Sequence, residues 1–135
     1  MASPIHSFFK QLKSNGSCKI FGSFDGYRKG EHIRDFVSVN DCVSINIWAM
    51  KKKIKNPIIL NVGTGKAHSF NFVAKEFLKY FSEGKIEYVK FPEKIKRGYQ
   101  SNTKAKISSL INLGYNKTFI DLREGIKKFF KENDK

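Results

Sequence analysis

Apolar side chains recur at intervals of three and four residues in three stretches of the chain, which places them on one face of a helix. The first stretch, 2–14, ends at Asn15-Gly16, a pair that commonly stops a helix. A second helix, 69–81, begins with a serine that can cap it, and a third begins at Thr118 or Asp121. The Phe-rich faces of these helices predict a packed core rather than a cofactor pocket.

Two further helices are predicted from the residues at their ends. Asn40 or Asp41 can cap a helix that extends to about Lys52, and Asp41 is interpreted as a cap rather than a base. A helix near 104–112 ends at Leu113-Gly114-Tyr115. The first of these two helices has five large apolar residues available to the core: Val43, Ile45, Ile47, Trp48 and Met50.

Shorter apolar runs between the helices predict four strands, at 18–21, 34–39, 58–62 and 86–91. The run 58–62 is continuously apolar before Asn61, which is typical of a strand buried on both faces of a parallel sheet. The resulting order, α, β, β, α, β, α, β, α, α, indicates an α/β fold. The parallel sheet that this order implies needs more strands than the chain offers.

The composition fits one domain of 135 residues, 40% hydrophobic and with 13 Phe, which is enough apolar surface for a core. No apolar run approaches the length of a membrane span. The first residues lack the apolar stretch and small-residue cleavage site of a signal peptide, so a cytoplasmic location is the expectation.

The net charge of +14 would suit a polyanionic partner such as nucleic acid. However, only four of the 26 basic residues are arginine, so 26 − 4 leaves 22 lysines, and Ile, Asn and Phe are also heavily used. AT-rich codons encode this set, and nucleic-acid readers usually favour arginine. Solvated surface lysine is therefore favoured over a nucleic-acid site.

The cysteines and histidines give no sign of a metal site. Cys18 and Cys42 are the only cysteines and are interpreted as reduced packing residues. His6, His32 and His68 lie far apart and have no metal-ligand spacing.

Several short motifs occur in a fixed order along the chain. They are Met1-Ala2-Ser3 before a helix, Asp25-Gly26-Tyr27 and Gly30-Glu31 in a glycine-rich loop, Arg34-Asp35-Phe36-Val37, Asn61-x-Gly63-Thr64-Gly65, Ile86-Glu87-Tyr88, Phe91-Pro92, Tyr99-Gln100 and Leu113-Gly114-Tyr115. The Arg-Asp-Phe-Val and Asn-x-Gly-Thr-Gly motifs resemble the C-terminal half of extended short-chain dehydrogenase/reductases. The ordered set resembles the ADP-glyceromanno-heptose 6-epimerase family over nearly the whole chain.

This resemblance implies an enzyme that inverts C6 of the heptose in ADP-heptose with a tightly bound NADP, for lipopolysaccharide core synthesis. It implies a dinucleotide-binding domain plus a smaller substrate domain, assembled as a homopentamer. Residues 1–135 then correspond to the substrate-binding region, which contributes one or more strands to a Rossmann sheet whose NADP-binding domain is absent from this chain.

The resemblance also assigns substrate-binding residues, namely Arg34, Tyr99, Phe21, Gly22, Ser23, Phe24 and Ser7. A guanidinium at Arg34 suits pyrophosphate oxygens, and the ring of Tyr99 offers a stacking face. The residues alone leave alternatives open: Arg34 paired with Asp35 or Asp41, Tyr99 in an interface, and Phe21 in the core. Asn61 to Gly65 can approach a ligand at a strand end or form a plain strand-to-helix turn.

The sequence departs from the family pattern at several of these positions. Phe21-Gly22-Ser23-Phe24 stands where the family has Phe-Glu-Gly-Ser, and Ser7 stands where it has a histidine. The basic run reads Arg97-Gly98-Tyr99 in place of Gly-Arg-Tyr, and Lys106 replaces an acidic residue. These differences bear on whether substrate affinity is intact.

The residues that carry redox chemistry in the superfamily are missing from the sequence. No GxGxxG or GxxGxxG run occurs, and no tyrosine is followed by a lysine four residues later. We therefore expect this chain alone to bind no NADP and to show no turnover, as a fragment or with an N-terminal half supplied by another polypeptide. The alternatives are a fragment of another nucleotide-sugar epimerase or dehydratase, and a basic nucleic-acid-binding module.

Overall fold

The computed structural model describes residues 3–54 and 56–133. Met1 and Ala2 of the Met-Ala-Ser motif lie outside the described residues. Six helices are present in the described part: α1 Pro4–Asn15, α2 Val39–Lys51, α3 Phe70–Leu78, α4 Glu93–Lys96, α5 Ser108–Asn112 and α6 Leu122–Asn133. The four strands in the same part are β1 Ser17–Phe21, β2 Ile33–Asp35, β3 Ala67–Ser69 and β4 Lys85–Val89.

The ends of three helices follow the local chemistry predicted from the sequence. Gly16 ends α1 in a left-handed conformation, and its N–H donates to the Leu12 carbonyl at 3.0 Å. The Ser69 hydroxyl accepts from the Phe72 N–H at the start of α3. Asp121 accepts from the Arg123 N–H at the start of α6.

The predicted start of α2 is wrong. Ser38 caps this helix, because its hydroxyl accepts from the Asn40 N–H. Asp41 is neither a cap nor exposed: it is 93% buried, at 7% exposure, and its carboxylate accepts from the Ile120 N–H at 2.9 Å. It therefore attaches α2 to the segment before α6.

Two small strand pairs organise the chain. β1 and β4 are parallel, in register from Ser17 opposite Lys85 to Phe21 opposite Val89. β2 and β3 are antiparallel, with Arg34 directly opposite His68. On its other side, β2 contacts residues 101–103, since the Ile33 N–H donates to the Ser101 carbonyl at 3.0 Å.

The main core lies where α1, α3 and α6 pack against β1. Its buried members are Phe8, Phe9, Leu12, Cys18, Ile20, Val73, Ala74, Phe77, Ile126 and Phe130. The interpretation of the Phe-rich helices as core is confirmed. A second cluster of Ile45, Leu110 and Tyr115 packs α2 against α5, with Trp48 and Leu60 at its edge.

The predicted strand at 58–62 does not form. In the described residues this segment has no backbone hydrogen-bond partner, and the Ile59 side chain is 95% exposed. A strand requires a neighbouring edge to pair with, and here the antiparallel partner of β2 is β3 instead. The strand predicted at 34–39 is also shorter, since β2 is Ile33–Asp35 and Ser38 caps α2.

The core assignment for α2 is wrong for three of its five residues. Ile45 is buried and Trp48 packs beside it, but Val43, Ile47 and Met50 are exposed on the other face of the helix.

Within the described ranges, no helix is long and apolar enough to cross a membrane. The same residues contain no cluster of His, Cys, Asp and Glu suited to a metal ion.

Candidate functional site

Six rings meet where β1 ends, and we call them the aromatic cluster: Phe21, Phe24, Tyr27, His32, Phe91 and Tyr99. Phe24 and Phe91 are stacked at 4.3 Å between centroids. Tyr99 meets Phe91 edge-on at 4.8 Å and His32 edge-on at 5.3 Å. Rings held in such contacts have little rotational freedom, so together they form a rigid apolar surface.

A tight two-residue turn brings Phe24 and Tyr27 into this cluster. Asp25 and Gly26 both have positive φ, 52° and 76°. Phe24 and Tyr27 exchange backbone hydrogen bonds of 3.1 and 3.0 Å. This is the geometry of a type I′ turn, for which Asp-Gly is a preferred pair.

Asn71 of α3 holds the other end of the glycine-rich loop. Its backbone N–H donates to the Gly30 carbonyl at 3.0 Å, and its side-chain amide donates to the Lys29 carbonyl. The Tyr88 hydroxyl donates to the Asn71 side chain at 3.0 Å. A Cβ at Gly30 would lie 2.0 Å from Asn71 Oδ1, and Gly30 has φ of 73°, so only glycine fits there.

His32 lies at the centre of the aromatic cluster and is 1% exposed. Its ring is stacked against Tyr27 at 5.4 Å, and Nε2 lies 3.1 Å from the Phe24 carbonyl oxygen. Burial lowers the pKa of His32, and the Arg34 charge acts in the same direction against the Phe24 hydrogen bond. The imidazole is therefore neutral, and its Nε2–H donates to the Phe24 carbonyl oxygen. This hydrogen bond fixes the His32 ring, which packs edge-on with Tyr99.

Arg34 lies against the ring of Tyr99. Its guanidinium carbon is 4.9 Å from the Tyr99 ring centroid and 5.8 Å from that of Phe70. One N–H group donates to the Ile33 carbonyl at 2.9 Å. Within the described residues no carboxylate forms an ion pair with Arg34, so its pairing with Asp35 or Asp41 is excluded there. A guanidinium fixed on a ring face, with N–H groups to spare, suits an anionic ligand.

Tyr99 is only partly buried, so part of the residue remains accessible. Burial raises the pKa of Tyr99, and the positive charge of Arg34 opposes that change. The hydroxyl is therefore protonated at neutral pH and can donate a hydrogen bond to a ligand held by Arg34.

Asp35 turns away from Arg34 and organises the Gly63-Thr64-Gly65 turn. Its carboxylate accepts from the N–H groups of Thr64, Gly65 and Ala105 at 2.9, 2.9 and 3.0 Å, and from the Thr64 hydroxyl. Burial alone would raise the pKa of Asp35, but these hydrogen bonds outweigh it and the pKa is lowered. The turn is thus built around a carboxylate of the protein itself.

The same contacts decide whether this turn fits the phosphates of a dinucleotide. A phosphate cradle needs backbone N–H groups that point at the ligand. At this turn those N–H groups already donate to Asp35, and a Cβ at Gly63 would lie 2.8 Å from Asp35 Oδ2. The turn therefore does not fit a nicotinamide dinucleotide, and it is better described as a plain turn that leads into β3.

Ser7 lies on α1 and forms a hydrogen bond within that helix. Its hydroxyl accepts from Gln11 Nε2 at 2.9 Å, and Gln11 Oε1 accepts from the Lys19 N–H at 2.8 Å. Its neighbour His6 lines a groove of about 440 Å³ together with Phe36 and Val37, which follow β2. The substrate-contacting role predicted for Ser7 stays a prediction.

The structure brings together Arg34, Tyr99, Phe21 and Phe24, four of the seven residues predicted for substrate binding. Gly22 and Ser23 connect Phe21 to Phe24 along the chain, and the Gly22 N–H donates to the Val89 carbonyl at 2.7 Å. The sequence reasoning missed three members of the cluster: Tyr27, His32 and Phe91. His32 stands two residues before Arg34, and that spacing was the signal available for it.

The chain has an α/β fold with a parallel strand pair, and an arginine lies on a tyrosine ring. These features indicate the class of protein that the chain resembles. Residues 1–63 match the NAD dependent epimerase/dehydratase family. The fold matches an epimerase, Mth375, from Methanothermobacter thermautotrophicus with a TM-score of 0.81 at 18% identity, over 98% of this chain and 38% of that one. The predicted α/β fold is confirmed, and it matches epimerase structures over about 40% of their length.

The particular enzyme it resembles is ADP-L-glycero-D-manno-heptose-6-epimerase. The chain is 40% identical to that of Alkalilimnicola ehrlichii over 129 residues, which are 96% of this chain and 40% of the relative. It matches the crystal structure of the Helicobacter pylori enzyme with a TM-score of 0.73 and 26% identity, over 96% of this chain and 36% of that one. The predicted resemblance is confirmed, and the chain spans about 40% of the length of the curated relative.

Proposed function

We propose that this chain is the C-terminal, substrate-binding part of an ADP-glyceromanno-heptose 6-epimerase. It binds ADP-heptose for the interconversion of the D-glycero and L-glycero forms in lipopolysaccharide core synthesis. In this proposal the complete enzyme uses NADP, works in the cytoplasm and assembles as a homopentamer. The comparison with the Alkalilimnicola ehrlichii enzyme supports the choice of this substrate.

The observation that carries the proposal is the position of Arg34 against Tyr99. The guanidinium is held 4.9 Å from the ring centroid and forms no ion pair within the described residues. A planar guanidinium binds a diphosphate through two parallel, charge-assisted hydrogen bonds. His32 and Phe91 of the aromatic cluster pack against the Tyr99 ring and so support the Arg34–Tyr99 pair.

The role proposed for each group follows from the residues that this chain contains. Arg34 binds the diphosphate, and Tyr99 offers its hydroxyl and ring edge to the rest of the ligand. When bound to the complete enzyme, the nicotinamide cofactor supplies the redox chemistry at C6. The sequence has no tyrosine followed by a lysine four residues later, so we expect no turnover from this chain alone.

Calorimetric titration of the purified chain with ADP-heptose tests the proposal. Arg34→Ala should weaken binding by about tenfold or more, because a charge-assisted pair is lost. Arg28→Ala is the matched control, since Arg28 is an exposed arginine near the same cluster. It should leave the affinity within about twofold of the unsubstituted chain.

Three results would count against the proposal. Tighter binding of a UDP-sugar than of ADP-heptose would reassign the substrate to another nucleotide-sugar enzyme. Equal losses from Arg34→Ala and Arg28→Ala would show that net charge, not the site, attracts the ligand. Sub-micromolar binding of a DNA or RNA oligonucleotide with a steep salt dependence would favour a nucleic-acid-binding module, which the charge of +14 makes worth testing.

A further inference from the structure

His68 is the cross-strand neighbour of Arg34. The two residues lie directly opposite each other in the antiparallel pair of β2 and β3. Side chains in such positions point to the same face of the sheet, with Cβ atoms roughly 5 Å apart. His68 is therefore the β3 side chain in register with the guanidinium proposed to bind the diphosphate. None of the ordered motifs in the sequence includes it.

Two phenylalanines at the start of α3 support Arg34 and His68. The Arg34 guanidinium carbon lies 5.8 Å from the ring centroid of Phe70. The His68 ring is stacked on Phe72, with 4.6 Å between centroids and 26° between planes. Phe72 also contacts the guanidinium of Arg123 at 5.1 Å from its centroid. Arg34 and His68 are therefore held side by side before a ligand arrives, which lowers the entropy lost on binding.

The ring nitrogens of His68 are available to a ligand. Within residues 3–54 and 56–133, His68 forms no hydrogen bond and no ion pair, so stacking on Phe72 holds it. The residue is half-buried, so part of it remains accessible. An imidazole has at least one N–H group in either protonation state. His68 can therefore donate a hydrogen bond to an anion bound at Arg34.

The backbone donors beside this pair are already used by the protein. A helix N-terminus binds phosphate through its first N–H groups. The N–H groups of the first three residues of α3 donate instead to the His32 carbonyl, the Gly30 carbonyl and the Ser69 hydroxyl. Those of the neighbouring turn, Thr64 and Gly65, donate to Asp35. A phosphoryl group next to Arg34 must therefore be bound by side chains.

We propose that His68 binds the second phosphoryl group of a nucleoside diphosphate whose first phosphoryl group is bound by Arg34. An N–H group of the imidazole donates to an oxygen of that second group. The two side chains thereby select a diphosphate over a monophosphate, because only a diphosphate reaches both. This assignment rests on the proposed function, which identifies the ligand of Arg34 as a nucleoside diphosphate sugar.

Calorimetric titration of the full chain with ADP and with AMP tests the role of His68. His68→Phe keeps a ring against Phe72 but removes the N–H groups, so it should weaken ADP binding by about tenfold and AMP binding by less than about twofold. Arg34→Ala should weaken the binding of both nucleotides. Lys66→Ala is the control, because Lys66 is an exposed cation two residues before His68, and it should leave both affinities within about twofold. Equal losses of ADP and AMP affinity in His68→Phe, or no loss of either, would overturn the assignment.

Nuclear magnetic resonance of the imidazole nitrogens detects the contact without any substitution. The His68 nitrogen signals should shift when ADP is added to the unsubstituted chain, whereas those of His6 on α1 should stay in place. His68 signals that are unchanged at saturating ADP would overturn the assignment. The proposed substrate fails separately: tighter binding of a UDP-sugar than of ADP-heptose refutes that substrate. Both of those ligands carry a diphosphate, so the preference for ADP over AMP still reports on His68.

Discussion

Replacing Asp35 by asparagine should destabilise the fold, because its carboxylate holds the Gly63-Thr64-Gly65 turn. The carboxylate accepts four hydrogen bonds, from the Thr64 N–H and hydroxyl and from the Gly65 and Ala105 N–H groups. An asparagine keeps one carbonyl oxygen, which can still serve Thr64. Its NH₂ group would face the N–H groups of Gly65 and Ala105, so two donors would lose their acceptor.

The expected cost follows from those two contacts. Hydrogen bonds to a charged group contribute about 1.5–3 kcal/mol each, so the upper figure for two is about 6 kcal/mol. Asp35 is partly exposed, and water can replace some of the loss. We therefore expect Asp35→Asn to lower the free energy of unfolding by about 3 kcal/mol. With a urea dependence of about 1–3 kcal/mol per molar, the unfolding midpoint should fall by about 1–3 M.

Urea unfolding followed by circular dichroism measures this change, with Asp25→Asn as the control. Asp25 is exposed in a turn at φ of 52°, a conformation that asparagine adopts readily, so its substitution should change the free energy by less than about 0.5 kcal/mol. If Asp35→Asn unfolded at the same urea concentration as the control, the carboxylate would not be what holds the Gly63-Thr64-Gly65 turn.

The pH dependence provides a second test on the same protein. The pKa of Asp35 is lowered from its ordinary value of 3.8, so the folded state binds this proton less tightly than the unfolded state. Stability from the carboxylate is therefore present above pH 3.8 and is lost as the pH falls through the folded pKa. The gap between wild type and Asp35→Asn should narrow below about pH 4. A gap that stayed constant down to acid unfolding would refute the role of ionisation.

Three further predictions concern packing and titration. Gly63→Ala should lower the free energy of unfolding by about 1–3 kcal/mol, because the new Cβ would lie 2.5 Å from Ala105 Cβ; urea unfolding measures it. Burial lowers the pKa of His32 from its ordinary 6.5, so its contribution to stability is lost as the pH falls from 6.5 through the folded pKa. His32→Gln should therefore flatten the rise of the urea midpoint between about pH 5 and 7, and an unchanged slope would contradict this. In Ellman's assay of the native protein Cys42 should react first, because burial raises the pKa of the Cys18 thiol to about 12; equal rates would contradict the buried assignment.

Features that depend on a few adjacent residues were predictable from the sequence. Gly16 and Ser69 end and begin helices through contacts with residues three or four positions away. The parallel partner of β1 was not predictable in the same way, since Ser17 opposite Lys85 brings together residues far apart in the chain. Local chemistry sets a cap, whereas a pairing depends on the whole packing.

The candidate site was only partly predictable for the same reason. Arg34 and Tyr99 were identified through motifs, and the structure places the guanidinium on the ring. His32 carries no motif, and its importance is evident only from a burial of 99%, at 1% exposure, among four rings. Pairing of Asp35 with Arg34 was one of the alternatives left open, but its four contacts with residues 29 to 70 positions away could not be read from a single sequence.

The disagreement at 58–62 has a specific physical meaning. A continuous apolar run is favoured in a strand that is covered on both faces, and in this chain the same run is exposed and unpaired. Val43 and Ile47 of α2 show the same conflict, since both are apolar and both are exposed. Both conflicts occur on neighbouring segments, whereas the α1, α3 and α6 faces agree with the structure. Apolar character alone therefore does not separate a residue that packs in the core from one that stays exposed, as Ile45 and Ile47 on the same helix demonstrate with exposures of 3% and 48%.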